Sequence, residues 1–136
     1  MPDLAALHGL RWERAGWLPV DCPALYMRPP PRIALNAAWW AEHGRCAKRA
    51  VLANEAGHHL GRFTHRLPVP REERRRLEGK ADRVGGRWLI PDAEVALALA
   101  EGLTEPWEWA ERWQVPPAFA QRRVQWFLQD HPGADL

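Results

Sequence analysis

At 136 residues, with 46% hydrophobic and 26% charged residues, the chain suits one globular domain with a modest core. A net charge of +2, from 19 basic and 17 acidic residues, is too balanced to argue for a nucleic-acid binder, and no apolar run is long enough to span a bilayer. The first residues lack the basic stretch and apolar core of a secretory signal. Cys22 and Cys46 stand in no metal-ligand or C-x-x-C spacing, so two free thiols in the cytoplasm are expected.

Leu4, Leu7 and Leu10 recur at helical spacing and predict a first helix from Asp3 to Arg14, ended by Gly16. Trp17 to Val20, with a proline inside it, reads as an edge strand. Ala24 to Met27 and Arg32 to Asn36 flank the proline-rich turn Arg28 to Pro31 and read as a β-hairpin. Asn36 is a helix cap for Ala37 to Ala41. A longer helix follows from about Arg45 to Leu60, with Gly61 as its stop.

Phe63 to Pro70 reads as a loop, and Pro70 sits at the start of a charged helix, Arg71 to Trp88, which Gly85 and Gly86 are expected to weaken or bend. Asp92 caps a helix from Ala93 to Glu101. Glu105-Pro106 and Pro116-Pro117 open two last helices, Trp107 to Trp113 and Ala118 to Gln129. The expected fold is α+β in a single domain over residues 1–136. A small antiparallel sheet or hairpin lies on the long helix in a core of about 1–91, and a C-terminal helical region covers about 92–130. Nine tryptophans supply large apolar area for packing.

The chemistry concentrates on the long helix, in Asn54-Glu55-Ala56-Gly57-His58-His59. The zinc-peptidase pattern H-E-x-x-H puts two ligand histidines four apart on one helix face, beside a glutamate that acts on the metal-bound water. Here Glu55 and His58 hold the glutamate and second-histidine places, and Asn54 stands where the first histidine would be. Asn54 and His58 share a face, as do Glu55 and His59. The spacing alone leaves a plainer reading open, in which one histidine is a hydrogen-bonded core residue and the other lies at the surface. On the next helix Glu78 and Asp82 share a face, so either could bring a carboxylate.

Arg32-Ile33-Ala34-Leu35-Asn36, Ala50 to His59, Glu78 to Asp82, and Trp88-Leu89-Ile90-Pro91 together resemble the ImmA/IrrE family of metallopeptidases. That family shows a strand ending I-x-L-N, a helix reading L-A-H-E-L-G-H, and a later acidic helix ending L-L-M-P. Phage-type members read L-A-E-E-L-G-H-H and also lack the first histidine. Trp109 to Pro116 followed by Ala118 to Val124 is similar to the family's C-terminal helical pair, so the resemblance covers almost the whole chain.

The resemblance implies a zincin-like motif helix, a helix–turn–helix-like C-terminus, and zinc or another divalent cation. It puts Glu55 at the general-base position and His58 at a ligand position. Asn54 takes the first ligand's place, where its carbonyl oxygen suits a hard cation better than zinc. Lys80 stands where the family's third ligand is expected and cannot ligate while charged. Glu78 is the preferred replacement, with Asp82 its alternative. His59 could replace the missing nitrogen ligand, and His65 is a weaker candidate.

The implied activity is cleavage of a helix–turn–helix repressor or antitoxin partner encoded by a phage or mobile element. The alternative is a relative that binds such a partner without cutting it. A weaker alternative is DNA binding through the C-terminal pair. There only Arg122 and Arg123 would serve, while Phe119, Val124, Trp126 and Phe127 point to packing.

Overall fold

Residues 32–36 form the middle strand of a three-stranded mixed sheet in the computed structural model, which describes residues 7–62 and 70–133. Strand β1 (Arg11–Ala15) runs parallel to β3 (Arg32–Asn36), and β2 (Ala24–Met27) runs antiparallel to β3. The hairpin is as expected. The parallel partner is not, because the expected first helix overruns Arg11–Ala15. Leu10 N–H donates to the Leu7 carbonyl, and Gly9 then adopts φ 84°, a left-handed conformation that ends a right-handed helix. The earlier part of that helix, residues 1–6, lies outside the described residues.

Trp17 to Val20 is not a strand. It is a loop held by burial of Leu18 against Ala15 and Ala34. Asn36 fixes it from the other side, donating through Nδ2 to the carbonyls of Pro19 (3.1 Å) and Cys22 (3.0 Å). The same side chain caps α1 (Ala37–Glu42), its Oδ1 accepting from Trp39 N–H.

Five more helices follow among the described residues: α2 (Arg45–Gly61), α3 (Arg71–Leu89), α4 (Asp92–Ala100), α5 (Pro106–Trp113) and α6 (Pro117–Asp130). Helix α2 ends one residue later than expected, with Arg62 in the left-handed region. Asp92 lies inside the first turn of α4 and does not cap it. Pro91 takes the cap position, and the Asp92 carboxylate turns to Arg123 instead, 2.6 Å away. Helix α5 opens with a capping box between Glu105 and Glu108. The main core joins Ala53 of α2 and Leu89 of α3 to Val95, Trp109, Trp113, Val124 and Phe127. No helix among the described residues is long and apolar enough to cross a membrane.

Candidate functional site

The site exists because α2 and α3 come unusually close. A Cβ on Gly57 would lie 1.8 Å from the Ala81 carbonyl oxygen, and one on Gly85 would lie 1.7 Å from that of Ala53. Real Cβ atoms do not approach so near, so both positions require glycine. Gly85 therefore does not bend α3, which runs unbroken to Leu89. It sets the distance to α2.

At that distance side chains from the two helices meet in antiparallel register. His58 Nε2 lies 3.1 Å from Glu78 Oε1. One turn away, Asn54 Nδ2 donates to Glu78 Oε2 at 3.0 Å and to Asp82 Oδ1 at 2.8 Å. The second Asp82 oxygen accepts from Arg122 of α6 at 3.2 Å. A chain of polar contacts thus runs from the buried His58 to a half-exposed arginine on the last helix.

Glu55 stands beside this chain, 6% exposed. Burial pushes its carboxyl from 4.5 up to about 7. The neighbouring imidazole of His58 and the main-chain N–H of Tyr26 work against that rise. The carboxylates of Glu78 and Asp82 add to it. Glu55 Oε2 is buried without a hydrogen-bond partner among the described residues. Such an atom costs about 1–3 kcal/mol, a cost that functional sites carry more often than plain cores.

Sequence reasoning grouped Asn54, Glu55, His58, Glu78 and Asp82, and the fold brings all five to one place. It separates His59 from them. That imidazole turns to the Tyr26 hydroxyl, 3.0 Å from Nδ1, and burial with the charges of Arg62 and Arg28 holds it below the ordinary histidine range. Lys80 is exposed, so α3 offers Glu78 and not Lys80 to His58. His65 and most of the expected 63–70 loop lie outside the described residues.

Two contributors carry no sequence signal that ties them to this site. Tyr26 joins the site from β2, its ring edge-on to His59 and its main chain on Glu55. Arg122 arrives from α6 and also covers the Trp126 ring at 4.8 Å. Arg123 is 2% exposed and donates to the Ile90 carbonyl and to Asp92, so it offers nothing to a duplex.

A catalytic zinc centre takes three protein ligands and an open position. His58 and Glu78 supply two donors. At the third place, Asn54 turns its N–H groups, which have no lone pair, towards the carboxylates. No group of three His, Cys, Asp or Glu side chains among the described residues is arranged to hold a metal ion. As arranged among the described residues, Asn54 offers no donor atom to a three-ligand zinc centre.

No protein-family model, no curated protein and no solved structure matches this chain.

Proposed function

We propose that this chain is a metallopeptidase-like protein of the ImmA/IrrE type that binds a helix–turn–helix repressor or antitoxin partner without cutting it. On this reading α2 is the zincin-like motif helix, and α5 with α6 is the helix–turn–helix-like pair. The convergence of Asn54 and His58, which stand at two of the implied ligand positions, with Glu78, the preferred replacement for Lys80 at the third, supports the family reading. The double hydrogen bond from Asn54 to Glu78 and Asp82 carries the non-cleaving part, because it completes the cluster with an amide where the peptidases have a ligand.

Glu55 favours a second reading, in which the partner is cleaved. A carboxyl near 7 with a free buried oxygen is poised to act as a general base at neutral pH. Water held at Glu55 Oε2 would give its proton to the carboxylate as its oxygen bonds to the peptide carbonyl carbon. The C–N bond would then break, and Glu55 would return the proton to the leaving amine. A divalent cation, in peptidases with a complete ligand set, adds polarisation of the carbonyl and a more acidic water.

Mixing the purified protein with a candidate helix–turn–helix partner separates the two readings. Co-elution on gel filtration with the partner's intact mass unchanged, for both the native chain and Glu55→Gln, is the expected result. Partner fragments formed by the native chain but not by Glu55→Gln would establish cleavage instead.

A further inference from the structure

We infer that Asn54 is a built-in substitute for a cation, so that the polar cluster forms and stays folded without any metal. Position 54 is then a place where a single substitution, to histidine, makes it take zinc. The inference rests on the non-cleaving reading for its functional meaning, but its geometry stands apart from it.

Two carboxylates, Glu78 and Asp82, share a face of α3 one turn apart and both turn towards α2. Glu55 adds a third acid close by. Carboxylates brought together in a partly buried space need a positive pole between them, or they repel one another and take up protons. In a metal site the ion supplies that pole. Here the amide of Asn54 supplies it, with one nitrogen 3.0 Å from Glu78 and 2.8 Å from Asp82. Among the described residues, His58 on Glu78 and Arg122 on Asp82 add to the balance from either end.

The network also fixes which way the amide points. Turning Asn54 over would set its carbonyl oxygen against two carboxylate oxygens, which have no proton to give while ionised. The residue is therefore held as a donor and withheld as a ligand. A histidine at position 54 would lie four residues before His58 on the same helix face, bring a lone pair, and raise the ligand count to three with His58 and Glu78.

Zinc content and melting temperature test this on the 136-residue chain, using EDTA-treated samples re-equilibrated with zinc sulfate and dialysed. The native chain should retain far less than one zinc per chain, and its Tm should be the same in EDTA and in zinc. Asn54→His should retain about one zinc per chain, show a Tm that rises with zinc and falls with EDTA, and lose both properties when combined with His58→Ala. A native chain that holds one zinc per molecule and melts lower in EDTA overturns the inference, and this arm decides even where Asn54→His fails to fold. A folded Asn54→His that takes no zinc overturns it as well. A metal-free native chain that nonetheless cuts its partner leaves the inference standing and removes the non-cleaving reading. A zinc-bound chain that does not cut does the reverse.

Discussion

Gly57 of α2 lies against Ala81 of α3 so tightly that a Cβ there would sit 1.8 Å from the Ala81 carbonyl oxygen, and Gly85 meets Ala53 in the same way at 1.7 Å. Helix α3 also holds a glycine of the opposite kind. Gly79 has nothing within 4 Å of where its Cβ would be. Gly57→Ala or Gly85→Ala should push backbone away from backbone and cost about 3 kcal/mol or more. Gly79→Ala should gain about 0.5–1 kcal/mol, the ordinary helix preference of alanine. Urea unfolding midpoints check the contrast. Equal effects at positions 79 and 85 would contradict the close packing of the two helices.

Adjacent arginines on α6 should behave very differently. Arg123 is buried with Asp92 and the Ile90 carbonyl, so Arg123→Ala should cost about 3–5 kcal/mol by leaving the carboxylate poorly paired. Arg123→Met should cost less, because its long unbranched side chain fills the buried space that alanine leaves empty, while Asp92 keeps Arg87 at 3.2 Å and His131 at 3.4 Å in both variants. Arg122 is half exposed, and Arg122→Ala should cost about 1 kcal/mol or less. Denaturant titrations of the three variants give the order directly.

The raised carboxyl of Glu55 predicts a stability slope. Below its ordinary value of 4.5, Glu55 is protonated in both folded and unfolded chains and contributes no dependence. Between 4.5 and about 7 the unfolded chain ionises first, so stability falls as pH rises. Above about 7 the penalty is complete, at most about 3 kcal/mol from a shift of this size. Glu55→Gln should flatten this slope and be the more stable protein at pH 8. Asp92 acts at the other end. Burial raises its carboxyl, but hydrogen bonds from Arg123 and His131 outweigh that and hold it below 3.8, so its contribution is lost only as pH falls into strong acid. Melting curves of the native chain and Glu55→Gln from pH 5 to 8 check the sign. Parallel curves would contradict the buried position of Glu55.

Much of the fold was legible because local chemistry marks it. Asn36 caps α1, the prolines before Arg32 mark the hairpin turn, and Pro106 and Pro117 open the last two helices. Strand β1 was not legible. Its first four residues, Arg11 to Arg14, are exposed, and it is defined by pairing with β3, about twenty residues on, which no local pattern encodes. Asp92 looked like a cap because it precedes an apolar helix, but a buried arginine far along the chain competes for its carboxylate.

The site divides the same way. The i,i+4 relation of Asn54 to His58 is a property of one helix and could be read directly. The choice of Glu78 over Lys80, and the departure of His59 to Tyr26, depend on how two helices and a strand are set against each other. The glycine contacts that set the helix pair appear in the sequence only as glycines. Gly85 therefore read as a weak point in α3 when it is the reason the cluster closes.

The bridge from Asn54 to the α3 carboxylates is the centre of this account, and a double-mutant cycle measures it most directly. Unfolding free energies of the native chain, Asn54→Ala, Asp82→Ala and the double variant would be determined in EDTA. The bridge predicts a favourable coupling of about 1–3 kcal/mol between positions 54 and 82, undiminished by the chelator. A coupling near zero in EDTA that appears only when zinc is added would show that a metal, and not the amide, holds the cluster together.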